Sequence, residues 1–154
     1  MPASSEPQVH AARLTEMEPA TLYAVMRLRV DVFVVEQECP YPELDGRDLE
    51  TDALMMWIEI EGSVAAHVRL LRDGEDHRIG RVVTDPAHRG KGLAAILVRD
   101  AMRRSDGRTI RLDAQAHLEG WYAGFGFTVD GPEFVEDGIP HVPMIRGTSN
   151  SRSA

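Results

Sequence analysis

Residues 77–101 read HRIGRVVTDPAHRGKGLAAILVRDA, and they predict a strand, a turn, a glycine loop and a helix in that order. Aliphatic residues typical of a buried strand come first: Ile79, Val82 and Val83. Asp85-Pro86 ends this strand, because proline fixes φ and keeps its predecessor out of the α region. Beyond Gly90 and Gly92, apolar residues recur at the spacing of one helix face: Leu93, Ile96, Leu97 and Ala101.

The glycine loop at the start of this helix is suited to binding a phosphate group. The first N–H groups of a helix have no partner within it, and the positive end of the helix dipole lies at the same place. Glycine allows the backbone to approach a ligand closely. P-loop nucleotides and dinucleotides are two cofactor classes whose phosphates bind in this way.

The P-loop and dinucleotide classes each disagree with part of the sequence. A P-loop needs a glycine five places before its Gly-Lys pair and a hydroxyl after the lysine, whereas this chain has Asp85 and Gly92 there. Residues 90–95 do satisfy the dinucleotide pattern G-x-G-x-x-A, and Asp113 stands where a ribose-binding acid is expected. However, three antiparallel strands are expected first, and too little chain remains for a doubly wound sheet. An NAD(P)-binding Rossmann-like protein is therefore the less favoured hypothesis.

The composition indicates one globular domain in a reducing compartment. Of the 154 residues, 43% are hydrophobic and 27% are charged, and we expect a single domain over residues 9–146 with flexible ends at 1–8 and 147–154. Cys39 is the only cysteine, which excludes an intramolecular disulfide, and no apolar run reaches the length of a membrane span. We therefore expect a cytoplasmic protein without a membrane partner. The net charge of -8 also opposes binding to nucleic acid.

The rest of the chain predicts a mixed α/β protein. Glu18-Pro19 is typical of a helix start, and we expect that helix to continue to about Val32. Residues 33–52 are irregular and acidic, so we expect a loop or short helical turns there. This segment is either a lid over the substrate site or a solvated acidic loop. A short helix is expected over residues 116–125. Strands are expected over residues 10–14, 54–61, 63–71, 77–84, 109–113 and 127–129, and a final hairpin near Phe134 and residues 141–145.

Two motifs give the chain a family resemblance. Arg89-x-x-Gly92-x-Ala94, after a Val-Val-x-Asp-Pro strand end, resembles the acetyl-CoA signature of the GNAT N-acetyltransferases. WYAGFGF at residues 121–127 is similar to the family's aromatic-Tyr-x-x-x-Gly-Phe segment. The ElaA-like branch is the nearer match, through residues 28–46, 114–127 and the EDGIPH of 136–141. This resemblance implies an α/β (α+β) GNAT fold, with a mixed, mostly antiparallel sheet of six to seven strands and about four helices.

The resemblance also implies acetyl-CoA as cosubstrate and a site for it. The pantetheine arm would lie along the strand end formed by Val82, Val83 and Thr84, in the manner of an added strand. The phosphates would bind to the glycine loop, whose residues are Arg89, Gly90, Lys91, Gly92, Leu93, Ala94 and Ala95. Gln115 is a further candidate contact to the cofactor, Tyr122 is the candidate general acid, and no metal site is expected.

The general base is the open question at this stage. Family members often carry a carboxylate on the central strand, but this chain offers Arg81 there, which is a poor base. Glu36 and His117 are the preferred candidates, and Asp113 and His141 remain open.

The expected function is an acetyl-CoA-dependent N-acetyltransferase that transfers acetyl to a primary amine by direct attack in a ternary complex. The acceptor is a small molecule or a peptide, and a homodimer is compatible with the sequence. The alternative is a GNAT module that binds acyl-CoA without catalysis. Cys39 is not needed as a nucleophile, because no nearby cation in its acidic segment would lower its pKa.

Overall fold

The computed structural model describes residues 6–147, so most of the two ends that we expect to be flexible lies outside the described residues. The strands are β1 (His10–Ala12), β2 (Leu54–Ile60), β3 (Ser63–Asp73), β4 (Asp76–Thr84), β5 (Ile110–Gln115), β6 (Thr128–Val129), β7 (Phe134–Glu136) and β8 (Ile139–Arg146). The α-helices are α1 (Pro19–Arg29), α2 (Leu93–Arg104) and α3 (Glu119–Ala123). Within this described part, no helix is long and apolar enough to cross a membrane.

All eight strands belong to one sheet, in the order β1-β2-β3-β4-β5-β8-β6, and β7 also pairs with β8. The β4–β5 pair is parallel, and the other pairs are antiparallel. The expected mixed, mostly antiparallel α/β fold is confirmed. The described chain has eight strands and three α-helices, whereas the family resemblance implied six to seven strands and about four helices.

The two faces of the sheet carry separate apolar cores. The face covered by α2 and α3 has a large core that includes Met56, Val68, Leu97, Leu112 and Met144. The opposite face, covered by α1, has smaller clusters that include Val25, Met55, Trp57 and Leu71. Consecutive residues such as Met55 and Met56 belong to different cores because side chains alternate across a strand.

Helix α1 continues into a π-helical segment, Val30–Glu36. Its amide hydrogen bonds reach back five residues, from Gln37 to the Val32 carbonyl at 3.1 Å and from Cys39 to the Val34 carbonyl at 3.1 Å. The helical conformation therefore continues past the expected end near Val32 to Glu36. The short helical turns expected as one alternative for residues 33–52 are present at Val30–Glu36 and Arg47–Leu49. The prolines and acidic residues on which the loop expectation rested come only after Val35, so they do not oppose a helix over residues 33–35.

A β-bulge bends β4 at Arg81. Along β3 the pairing moves two residues, from Arg69 to His67, while along β4 it moves three, from Gly80 to Val83. The extra residue gives Arg81 a φ of 55°, in the left-handed region that non-glycine residues rarely adopt. Such a bulge bends its strand and redirects the side chains that follow.

Strands β4 and β5 separate before the bulge is reached. The two strands pair only at their beginnings, where His77 is opposite Ile110 and Arg78 is opposite Arg111. From Ile79 onward, the edge of β4 that faces β5 has no strand partner within residues 6–147. The result is a V-shaped gap in the middle of the sheet.

Candidate functional site

A cavity of about 790 Å³ occupies the gap between β4 and β5. One wall is the end of β4, the other is β5 with the turn that follows it, and the π-helical segment and the β7–β8 turn close the sides. The residues of the predicted site that line it are Glu36, Val82, Val83, Thr84, Arg89, Gly90, Ala94, Gln115, His117 and Tyr122. The structure therefore brings together residues that are up to 86 positions apart, from Glu36 to Tyr122.

Four residues of the predicted phosphate loop do not line this cavity. Leu93 is buried at 3% exposure in the core beneath α2, so its side chain anchors the helix. Lys91 is exposed, with Nζ 3.0 Å from His88 Nδ1. Gly92 is exposed and Ala95 half-buried. These four positions can contribute backbone amides to a ligand, whereas the side chains facing the cavity are those of Arg89 and Ala94.

The glycine loop has the backbone geometry that phosphate binding requires. Gly90 and Gly92 have φ values of 83° and 75°, in the left-handed region that favours glycine. Before them, the Asp85 side chain accepts a hydrogen bond of 2.8 Å from the Ala87 amide and fixes the turn at residues 86–88. Helix α2 begins immediately after the loop, at Leu93, so its first N–H groups lie beside the cavity.

Arg89 is held by a bidentate ion pair across the mouth of the cavity. Its Nη1 and Nη2 donate to the two carboxylate oxygens of Glu36 at 2.8 and 2.7 Å, and its Nε donates to the Thr84 carbonyl at 3.3 Å. The Arg89 hydrogen bonds hold the pKa of the Glu36 carboxyl below its usual range. A carboxylate that is paired in this way is a poor proton acceptor, which argues against Glu36 as the general base.

Tyr122 lies on α3, where its ring packs against the core and also forms part of the cavity wall. Its exposure is 6%, and it makes edge contacts with Trp121 at 4.8 Å and Phe127 at 6.2 Å between ring centroids. Burial raises the pKa of the phenol, which keeps its proton in place at neutral pH. Tyr122 lines the cavity, and within residues 6–147 its hydroxyl makes no hydrogen bond, so it is available to a ligand there.

The family model for the acetyltransferase (GNAT) domain matches residues 22–146. This chain belongs to the GNAT acetyltransferase family. A UPF0039 protein of Mycobacterium bovis is 46% identical over 136 residues, which cover 85% of this GNAT chain and 87% of the relative. Protein ElaA of Escherichia coli is 37% identical over 141 residues, covering 86% and 91% of the two chains.

Solved structures agree with this assignment. The crystal structure of an acyl-CoA N-acyltransferase from Pseudomonas aeruginosa has a TM-score of 0.87 and 36% identity, covering 92% of this chain and 100% of that one. The crystal structure of Escherichia coli ElaA has a TM-score of 0.85 and 33% identity, covering 92% and 99%. The ElaA-like GNAT fold is confirmed. The Rossmann-like alternative is wrong, because the sheet is mostly antiparallel and the glycine loop belongs to a GNAT domain.

Sequence reasoning missed a buried ion network on the α1 face of this GNAT domain. Arg29 is fully buried, and its guanidinium donates to Glu43 Oε2 at 2.7 Å and to Asp48 Oδ1 at 2.7 Å. Arg69 shares Asp48 at 3.3 Å and reaches Asp45 Oδ1 at 2.9 Å. Three carboxylates of the loop after the π-helical segment are thereby tied to a helix and a strand. The segment expected to cover the site is thus ion-paired to α1 and β3, and its residues Glu36, Gln37, Cys39 and Tyr41 line the cavity.

Arg81 belongs to the same network. Its guanidinium donates to Glu43 Oε2 and to the Glu43 carbonyl at 2.9 Å, and it reaches Asp45 Oδ2 at 3.2 Å. Tyr41 completes the cluster, since its hydroxyl donates to Glu43 Oε1 at 2.6 Å and Arg81 lies 5.9 Å from its ring centroid. Partial burial raises the pKa of Asp45, but hydrogen bonds from Arg69 and from the backbone outweigh this and lower it to about 2. The charge of Arg81 is thus neutralised at the place where other family members often have a carboxylate.

The remaining base candidates all line the cavity. Asp113 is exposed and lies 3.5 Å from Arg78 Nη1. His117 is exposed, in the turn after β5. His141 is half-buried on β8, directly opposite Gln115 of β5. Gln115 in turn donates to Gln37 Oε1 at 3.4 Å, so the side chain predicted to contact the cofactor is within reach of the π-helical segment's end.

Proposed function

We propose that this chain is an acetyl-CoA-dependent N-acetyltransferase that transfers acetyl to a primary amine by direct attack in a ternary complex. One observation carries the proposal: the gap between β4 and β5 joins an unpaired strand edge, a glycine loop at a helix start and a free tyrosine hydroxyl in one cavity. These are the three contacts that a CoA thioester needs. GNAT membership supports acyl transfer as the reaction class.

The cofactor would bind along β4. Its pantetheine amides would pair with the free backbone edge at Val82, Val83 and Thr84, as an added strand does. Its pyrophosphate would bind to the amides at the start of α2, where the dipole and Arg89 supply positive potential. Gly90 and Gly92 permit this approach because they carry no side chain, and their left-handed φ values are ones that other residues rarely adopt.

Tyr122 would act as the general acid on the departing thiolate. The amine nitrogen forms a bond to the thioester carbonyl carbon, the carbon–sulfur bond breaks, and the sulfur takes the phenolic proton. The nitrogen loses one proton as the amide forms, and a proton from solvent restores the phenol. A main-chain N–H near Val83 would stabilise the oxyanion, because a fixed donor needs no reorganisation in the transition state. The phenol is protonated at neutral pH, as a general acid must be. Burial raises its pKa further, so proton transfer depends on the negative charge that develops on the departing sulfur.

Tyr122→Phe tests the proposal. We expect turnover to fall by about 10²- to 10³-fold, the scale of a lost general acid, with nearly unchanged acetyl-CoA affinity. The assay is release of free CoA thiol from acetyl-CoA over a panel of amines that includes lysine, spermidine, glucosamine and a peptide N-terminus, with calorimetric titration of acetyl-CoA in parallel. Tyr23→Phe is the matched control, because Tyr23 is 70% exposed on α1 and should not affect turnover. Equal turnover of the Tyr122 variant and wild type would remove Tyr122 from the mechanism.

A second candidate function is a module that binds acyl-CoA without catalysis. The observation that favours it is Arg81, which replaces the strand carboxylate and is already neutralised by Glu43 and Asp45. The same titrations decide between the two candidates. Tight acetyl-CoA binding without thiol release on any acceptor would support the module and contradict the transferase.

A further inference from the structure

His141 occupies the side of the cavity opposite to Tyr122. On β8 its neighbours Val142 and Met144 belong to the core beneath α2, as does Tyr122. Because side chains alternate along a strand, His141 faces the other side of the sheet. The gap between β4 and β5 connects the two faces, and both His141 and Tyr122 line the cavity that fills it. An acid for the thiolate and a base for the amine are needed on opposite sides of the reacting carbonyl, which is the arrangement that these two residues offer.

The imidazole of His141 is fixed in one orientation. Its Nδ1 lies 2.7 Å from the carbonyl oxygen of Ile139, and its ring stacks on Phe134 with 5.7 Å between centroids and 20° between planes. A carbonyl oxygen can only accept a hydrogen bond, so Nδ1 carries the proton in the neutral ring. Nε2 then has a free lone pair, and it has no hydrogen-bond partner in the described part of the chain. A second interaction that sets the tautomer is how proteins prepare a histidine as a base.

The other candidates for the general base lack either a free proton-accepting atom or a fixed orientation. Glu36 is bound through both oxygens to Arg89. Asp113 lies beside the guanidinium of Arg78. His117 is exposed, and among residues 6–147 neither of its ring nitrogens has a partner that would fix the tautomer.

We propose that His141 is the general base of this acetyltransferase, a step that rests on the proposed function. As the nitrogen–carbon bond forms, Nε2 takes a proton from the amine nitrogen. As the carbon–sulfur bond breaks, Tyr122 gives its proton to the thiolate. Exchange with solvent afterwards returns a proton to Tyr122 and removes one from His141, so the products are the amide and free CoA thiol. Other titratable groups that line the same cavity are Glu36, Tyr41, Asp113, His117, Glu136 and Asp137.

His141→Gln is the first test, because glutamine keeps hydrogen-bonding capacity but cannot act as a base. With acetyl-CoA and the best amine of the panel, we expect kcat to fall by about 10²-fold or more and the acid limb of the wild-type pH–rate profile to disappear. Calorimetric affinity for acetyl-CoA should change by less than about twofold. In His141→Ala, added imidazole should restore part of the rate. Retention of the acid limb by His141→Gln, with its loss in His117→Gln, would assign the base to His117 and overturn the proposal.

The tautomer gives a test that needs no acceptor. In the free protein, long-range ¹⁵N–¹H correlation spectra should show the ring of His141 with its proton on Nδ1, identified by comparison with His141→Gln. A proton on Nε2 would overturn the proposal, because that nitrogen could not then accept one. If the tautomer is the expected one but wild type releases no thiol with any amine, the proposed function fails instead. If wild type is active and His141→Gln keeps its rate, only the role of His141 fails.

Discussion

Glu36→Gln should tighten the binding of CoA. In the free protein the Glu36 carboxylate holds both terminal nitrogens of Arg89, at 2.7 and 2.8 Å, beside the loop that we assign to the pyrophosphate. A pyrophosphate that pairs with Arg89 must first displace Glu36. In Glu36→Gln no carboxylate competes with the pyrophosphate for Arg89, so CoA should bind more tightly.

The magnitude follows from the exposure of the pair. Both side chains are 44% exposed, so the pair lies in the range of surface salt bridges, about 0.2–1 kcal/mol, and its bidentate geometry places it in the upper half. Release of about 0.5–1 kcal/mol corresponds to binding that is about two- to fivefold tighter. The gain should shrink as salt is added, because exposed charges are screened.

Calorimetric titration with two ligands separates the effect of Glu36→Gln on phosphate binding from its effect on the rest of the site. CoA carries the pyrophosphate, whereas S-acetylpantetheine lacks phosphates and should bind equally to Glu36→Gln and wild type. Glu38→Gln is the matched control, since it removes the same charge from the same segment, and Glu38 has no ion pair in the described part of the chain. Unchanged or weaker CoA binding by Glu36→Gln, or an equal gain with S-acetylpantetheine, would refute the competition between Glu36 and the phosphates.

Three further predictions concern stability and the glycine loop. Asp48→Asn removes one countercharge from the buried guanidinium of Arg29, so the free energy of unfolding, measured in urea, should fall by about 3 kcal/mol or more. Asp31→Asn, at an exposed ion pair, is the control and should lower it by less than about 1 kcal/mol. Gly92→Ala forces alanine to φ 75°, which should destabilise the fold by about 1–2 kcal/mol in thermal melting and weaken CoA binding in titration. Gly120→Ala is the control: a Cβ there has open space around it, so stability and CoA binding should both be unchanged. Because the pKa of Asp45 is lowered to about 2, its contribution to stability should persist above pH ~4 and disappear as pH falls from ~4 to ~2, and acid unfolding followed by circular dichroism should show a smaller loss in Asp45→Asn.

The glycine loop and its helix could be predicted from sequence because their signals are local. The apolar spacing from Leu93 predicts a helix over 93–104, and the structure has α2 at Leu93–Arg104. Asp85-Pro86 ends the strand within one residue of the observed end at Thr84. Proline, glycine and periodicity determine backbone conformation over a few residues, so these elements need no tertiary information.

The ion network could not be predicted because its partners are distant in the chain. Arg29 and Glu43 are 14 residues apart and Arg81 and Glu43 are 38 apart, and no short pattern connects them. Arginine and aspartate are mostly exposed, so a fully buried Arg29 contradicts the usual expectation for its residue type. The hairpin near Phe134 and residues 141–145 was expected, but the orientation of the His141 ring depends on side-chain rotation, and no sequence pattern encodes its contacts with Phe134 and the Ile139 carbonyl.

A crystal structure of the complex with CoA would decide whether acyl transfer takes place in the gap between β4 and β5. The decisive quantity is the distance from the CoA sulfur to Tyr122 Oη. We expect CoA in the gap between β4 and β5, its pyrophosphate at the first amides of α2, and the sulfur about 3–4 Å from Tyr122 Oη, close to hydrogen-bond reach. CoA bound outside this gap, or with its sulfur beyond about 6 Å from that hydroxyl, would contradict acyl transfer at this site with Tyr122 as the acid.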